Sequence, residues 1–226
     1  MTTCSAVSCH ARIQDDRDDF RRVTEAYCIS GQLIYVKQAP RTPRGIQKGD
    51  RLVDETIELD SALLVIREAA PDDLPLLLPV YLSNPEYVAQ SEGSRGEVGY
   101  FDLEMFQRDW QIAQMTPGRH MLGVYLKMTS EAIGLADYLE EYPEDGQPWL
   151  GLLMIARAHQ RQGLGTEAFA CLAAYFKNHH GWSSLRVGVM KTNTAALAFW
   201  RRLGFLEVTT DDAAAEKPKV SLERAL

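Results

Sequence analysis

The chain has 226 residues, 46% of them hydrophobic and 24% charged, with a formal net charge of −7 and a pI of about 5.3. That is enough material for one large globular domain, or for a domain with an extension. The acidic balance argues against a nucleic-acid or anionic-membrane partner and mildly favours cationic substrates; no run of about 18 apolar residues suits a membrane span.

Residues 1–60 carry the weakest pattern. The first ten lack the basic start and apolar core of a secretory signal. Gln14 to Arg22 is a mixed-charge run, suited to a solvated helix face or an arm. Gln32 to Lys37 has the composition of a short strand, Ala39 to Gly45 is a loop by its prolines and glycine, and Arg51 to Leu59 suits another strand. We read residues 1–60 as an extension packed on a main domain at 61–226. The functional alternatives are a homodimer arm or a substrate cover.

Ala62 to Arg67 reads as a strand. Ala70-Pro-Asp-Asp-Leu opens a helix, its early acids matching the positive end of the dipole, and Pro79 is predicted to kink or end it. Ser83 to Gly99, with Asn84-Pro85 and three glycines, reads as a polar loop. Phe101 to Met115 returns to helical spacing through Leu103, Phe106, Trp110 and Ala113. Met121 to Lys127 and Ala132 to Leu139 form a hairpin, followed by an acidic loop, Glu140 to Gly146.

The chain is organised around Trp149 to Lys177. An apolar run of strand length, Trp149 to Ile155, leads into Gln160-Arg-Gln-Gly-Leu-Gly165. A helix follows over 166–177, with Phe169, Leu172, Ala173 and Phe176 on one face. His179, His180 and Gly181 suit its end. Gly163 and Gly165 let backbone approach a ligand without Cβ atoms in the way. The first helical amides lack intrahelical acceptors, and Arg161 adds a positive charge, so a phosphate or pyrophosphate fits here. The loop has neither the Gly-Lys-Ser/Thr ending of a Walker A loop nor the three glycines of a dinucleotide fingerprint.

Ser184 to Met190 is a further strand and Thr194 to Leu203 a helix. Phe205 to Val208 and Lys219 to Leu222 are closing strands around an Asp211 to Pro218 loop. Cys4, Cys9, Cys28 and Cys171 match no zinc spacing and suggest no disulfide framework, so we expect no metal and a reducing cytoplasmic location.

Gln160-x-x-Gly163-x-Gly165 after a strand resembles the acyl-CoA pyrophosphate loop of the GNAT superfamily of N-acetyltransferases. A second match lies downstream, from Asn193 through Ala196, Phe199 and Trp200 to Gly204-Phe205. The resemblance covers roughly Leu63 to Leu226. It implies an α/β (α+β) fold, with a mixed, mostly antiparallel central sheet flanked by helices. It also implies acetyl transfer from acetyl-CoA to a primary amine by direct attack in a ternary complex. The acceptor would be a small molecule or a peptide, and a non-catalytic acyl-CoA-binding regulatory domain is the alternative.

On the same resemblance, Arg161, Gln162, Gly163, Gly165 and Thr166, with Gln160 and Leu164 in the loop, would hold the pyrophosphate. Backbone around Met154 and Ile155 would hold the pantetheine arm and the carbonyl oxygen, and Asn193 would contact the pantetheine side, with Phe199 nearby. Where the family often has a tyrosine that protonates the thiolate, this chain has Trp200, whose indole N–H is no useful acid; packing against CoA or positioning its sulfur is the role left. Glu141 is the first candidate for general base, ahead of Asp137, Glu140 and His159, with a water chain as the alternative. Tyr81, Tyr87, Tyr100, Phe101 and Phe106 would line the acceptor pocket or serve as core.

Overall fold

The computed structural model describes residues 24–29, 32–37, 57–92, 101–210 and 218–226. The charged run at 14–22, the loop at 39–45, residues 51–56 of the suggested strand, Tyr100, Cys4, Cys9 and the 211–217 loop lie outside them. The chain divides into two compact units, Met1–Glu55 and Thr56–Leu226. The first contains an antiparallel hairpin of β1 (Thr24–Ile29) and β2 (Gln32–Lys37), of which only β2 has a clear strand signature in the sequence.

The second unit is built on one eight-stranded sheet. Its strands are β3 (Glu58–Asp60), β4 (Leu64–Glu68), β5 (Arg119–Leu126), β6 (Ala132–Leu139), β7 (Trp149–Ile155), β8 (Ser184–Met190), β9 (Leu206–Thr210) and β10 (Lys219–Ala225). The order is β3-β4-β5-β6-β7-β8-β10-β9. Every neighbouring pair is antiparallel except β7 and β8, which a helical crossover makes parallel. This is the mixed, mostly antiparallel sheet the resemblance implies. Glu58–Asp60, assigned above to the extension, pairs with β4 as the edge strand of this sheet.

Helices cover both faces. α4 (Leu164–His179) and α5 (Thr194–Arg202) pack on one, where Leu164, Ala168, Phe169, Leu172 and Phe176 meet Leu122, Tyr138, Leu150 and Val187. α4 begins two residues before the predicted start and ends at His179, with Gly181 at φ 68° just beyond it. α1 (Leu74–Leu82), α2 (Pro85–Glu92) and α3 (Leu103–Met115) belong to the first part of the unit. α1 and α3 pack with Met121, Leu135 and Met154 on the other face. Asp102 caps α3 by accepting a hydrogen bond from Met105 N–H at 2.9 Å.

Two expectations about this region are corrected. α1 does not end at Pro79 but runs three residues past it, to Leu82. An interior proline costs about 3 kcal/mol, but Leu74, Leu77, Val80 and Tyr81 are all buried, and each such side chain returns about 1.5–3 kcal/mol. Ser83 to Gly99 is not one polar loop, because Pro85–Glu92 is helical. Asn84 C=O accepts from Tyr87 and Val88 N–H at 3.0 and 3.1 Å, so Asn84 caps α2 and Pro85 sits where proline starts a helix well.

Candidate active site

The site is a gap in the sheet. β7 and β8 pair only at Trp149 and Arg186, where Arg186 N–H donates to Pro148 C=O at 3.0 Å. Beyond that point they part. Gly151, Leu152 and Leu153 are therefore half-buried although β7 lies mid-sheet. A bulge in the β6–β7 pairing falls at Gly151, because Asp137 faces Leu152 while Tyr138 faces Leu150. Ala156 N–H donates to Ile133 C=O at 2.7 Å, which sets the phase of the alternation. Met154 and Leu152 turn their backbone groups to β6, and Leu153 and Ile155 turn theirs to the gap. Of the two strand residues proposed to hold the pantetheine, Ile155 faces the gap and Met154 does not. Leu153 takes its place.

The loop after β7 leads to the start of α4 at the same end. Arg161 and Gly163 both have positive φ, 60° and 84°, and Arg161 is one of two described non-glycine residues with this geometry. Holding an arginine there costs about 1 kcal/mol, and such strain collects where backbone amides are arranged for a ligand. Gly163 is the N-cap of α4 and no side chain caps the helix. Glu167, the acid in its first turn, accepts from Ser61 Oγ and Leu63 N–H at 2.7 Å each and so is tied to the β3–β4 turn. A Cβ on Gly165 would meet Ile155 and Phe199 at 3.6 Å, an ordinary contact. The end of β7, the helix start and Phe199 thus lie side by side.

The remaining loop residues divide. Arg161 and Thr166 are both exposed, and Leu164 is buried in the core. Gln162 donates from Nε2 to Ala158 C=O at 3.1 Å. Gln160 is engaged within the protein: its Nε2 donates to Asn84 Oδ1 at 2.6 Å and to Ile155 C=O at 2.9 Å. Asn193 caps α5, its Oδ1 accepting from Ala196 N–H at 3.1 Å. Trp200 is 6% exposed and sits edge-on to Phe169 and Phe205, with ring centroids 5.5 and 5.0 Å away. It is therefore core packing between α4 and α5, and Phe199 is the ring beside the loop.

The candidate bases are spread along the fold, with His159 directly before the loop and Asp137 opposite Leu152. Glu141 is exposed in the β6–β7 turn, at the opposite end of β7 from the loop. Seven strand residues separate the two ends by about 20 Å. Glu140 reaches His120 Nε2 at 3.2 Å, and His159 reaches Glu131 at 3.0 Å. Asp137 is buried, with Arg119 donating to both carboxylate oxygens at 2.8–3.2 Å. Burial pushes its carboxyl up while the Arg119 charge and hydrogen bonds oppose that. Tyr81, Phe101 and Phe106 are buried against one another, with Tyr81–Phe101 centroids at 4.7 Å, so they build the α1–α3 core. Tyr87 is half-buried.

Sequence reasoning missed Ser83, Asn84 and Arg157. Arg157 N–H donates to Ser83 Oγ at 3.1 Å, Arg157 Nε to Ser83 C=O at 3.0 Å, and the guanidinium pairs with Glu86. Asn84-Pro85 carries a helix-start signal that could have been found locally, but the partners of Asn84, 71 to 76 residues away, could not. Among the described residues, no cluster of three or more His, Cys, Asp or Glu is placed to hold a metal, and no helix is long and apolar enough to cross a membrane.

A parallel pair that parts beside an uncapped helix start is a place for an extended, phosphate-bearing ligand to enter a sheet. Comparison with known proteins agrees with that geometry. The family model of the acetyltransferase (GNAT) domain matches residues 64–206, and the chain belongs to this family of acyltransferases. Among solved structures, an acetyltransferase from Thermus thermophilus is 29% identical, with a TM-score of 0.61 over 75% of this chain and 100% of that one. A ribosomal L7/L12 α-N-protein acetyltransferase in complex with coenzyme A is 17% identical, with a TM-score of 0.63 over 75% and 98%. A Salmonella typhimurium acetyltransferase described as modifying the N-terminal serine of the same ribosomal protein is also 17% identical, with a TM-score of 0.61 over 74% and 96%. Curated protein sequences yielded no match.

Proposed function

We propose that the protein moves an acetyl group from acetyl-CoA to a primary amine by direct transfer in a ternary complex. The observation that carries this is the parting of β7 and β8 beside the uncapped start of α4. The residues present fit the co-substrate. The first amides of α4, with Arg161, suit a pyrophosphate, and the gap-facing backbone of Leu153 with the N–H of Ile155, whose C=O is held by Gln160 and Asn84, suits an amide-bearing arm. Acetyl-CoA supplies the activated acyl carbon. The gap-facing backbone N–H of Leu153, beside the Gly151 bulge, would be the donor for negative charge developing on its oxygen.

The attacking amine must be neutral. A peptide α-amine, with an ordinary pKa of about 8, is roughly one-tenth neutral at pH 7, against far less for a lysine side chain. Water can then accept the proton lost on attack. A peptide N-terminus is the acceptor class we favour, in keeping with the ribosomal-protein acetyltransferases among the similar structures. The test is thiol release from acetyl-CoA in the presence of peptides, polyamines and aminoglycosides. Turnover is expected with peptides bearing a free α-amine and not with the same peptides blocked. A protein that fails to bind acetyl-CoA would overturn the reading.

A further inference from the structure

Asn84 is 8% exposed, yet its amide serves four partners on three elements. Nδ2 carries two hydrogens and lies 3.1 Å from Val80 C=O, 3.1 Å from Ser83 Oγ and 3.3 Å from Ile155 C=O. Oδ1 accepts from Gln160 Nε2 at 2.6 Å, and the same Nε2 reaches Ile155 C=O at 2.9 Å. The backbone carbonyl of Asn84 meanwhile starts α2. One buried residue therefore joins, by its side-chain amide and its carbonyl, the end of α1, the start of α2, the last residue of β7 and the first residue of the Gln160–Gly165 loop. An asparagine that served only its own helix junction would need the Val80 and Ser83 contacts and nothing more. The bond from Gln160, a loop residue, adds nothing to the apolar core.

We propose that Asn84 is a positioning residue, which through Gln160 and the Ile155 carbonyl sets the loop at the helix start in register with the α1–α2 segment. The inference rests on the functional reading above in taking that loop as the acetyl-CoA site. Only a side chain that both donates and accepts can fill the role. Aspartate at 84 would keep the acceptor for Gln160 and turn a carboxylate toward two carbonyls, and a hydrocarbon would leave Gln160 and Ile155 unpaired.

The test uses the full chain with Gln160→Met, which keeps length and removes both loop bonds, and Asn84→Asp, which removes the donors. In Gln160→Met, which leaves the buried Asn84 Oδ1 without its donor, the unfolding midpoint is expected to fall modestly, and the acetyl-CoA Kd of the folded variant, read by calorimetry, to rise about tenfold. The acceptor KM should rise too, with kcat at saturation within about twofold. Asn84→Asp should weaken binding similarly. The double variant should be no weaker than the weaker single one, because both act through one link. Wild-type affinity in Gln160→Met, or losses that multiply in the double variant, would overturn the inference. If the wild type itself does not bind acetyl-CoA, the functional reading falls and the link is judged without ligand. Gln160→Met should then speed amide exchange at Tyr87 and Val88, whose N–H groups bond Asn84, and unchanged exchange there would also overturn it.

Discussion

Gly163 and Gly165 are glycines for different reasons, and substitution separates them. Gly163 needs its left-handed backbone, with φ 84° and no atom within 4 Å of where a Cβ would sit, so Gly163→Ala should cost about 1 kcal/mol of stability through the backbone alone. Gly165 has ordinary backbone and room for a methyl group against Ile155 and Phe199. Gly165→Ala should keep acetyl-CoA affinity within about threefold, whereas Gly165→Asp, placing a carboxylate at the helix start, should weaken it at least about tenfold in calorimetry. Trp200 behaves as core. Trp200→Ala should lower stability by about 3–5 kcal/mol in urea unfolding. Trp200→Tyr should raise kcat by less than about tenfold, since a ring enclosed by Phe169 and Phe205 is not placed to give up a proton.

At the scale of elements, the turn from β4 into α1 is held by Arg67 and Asp73. Arg67 donates to both Asp73 oxygens at 2.7 Å, and Ala70 N–H donates to Asp73 Oδ2 at 2.9 Å. Burial pushes the Asp73 carboxyl up, but the hydrogen bonds from Arg67 and Ala70 outweigh it and hold the group below its ordinary value. A carboxyl depressed on folding stabilises the fold above its unfolded pKa, about 3.9, and loses that contribution as pH falls through the lower folded value. Asp73→Asn should therefore cost about 1–2 kcal/mol near neutrality, and the gap from wild type should close below about pH 4 in urea titrations. A gap that persists unchanged into acid would show that the carboxylate charge is not what holds the turn.

Across the whole molecule, the two ends of β7 have different work. The Ile155 end carries the loop, the uncapped helix and the Asn84 junction. The Trp149 end carries the acidic turn, where Asp145 pairs with Arg186 at 2.5 Å and Tyr142 packs on Trp149 at 4.7 Å. That turn braces the point at which β7 and β8 still meet. Glu141→Gln should leave the acceptor KM within about twofold at low and high salt, because the Glu141 carboxylate is solvent-exposed and its charge is screened. A salt-sensitive rise in KM would return the acidic turn to the acceptor's path. The family match at 64–206 and the described site residues all fall in the Thr56–Leu226 unit. That unit expressed alone should bind acetyl-CoA within about threefold of the full chain.

Most elements of this unit were legible because their signals are local. β6, β7 and β8 occupy the spans read from strand-length apolar or β-branched runs, and α3, α4 and α5 follow spacing of three and four residues. The glycine loop was legible as a turn into a helix start without a side-chain cap, since positive φ and free amides depend on a few consecutive residues. What the tertiary structure alone decided depends on atoms brought together from distant stretches. Burial of its apolar side chains carried α1 through Pro79. The hydrogen-bond phase between β6 and β7 turned Leu153, not Met154, toward the gap. Folding set Glu141 in the turn at the Trp149 end of β7, about 20 Å from the loop. It paired Asn84 with Gln160 across 76 residues. Periodicity and propensity act over a turn or a strand, whereas register, splay and side-chain pairing are settled by packing, and no local pattern encodes them.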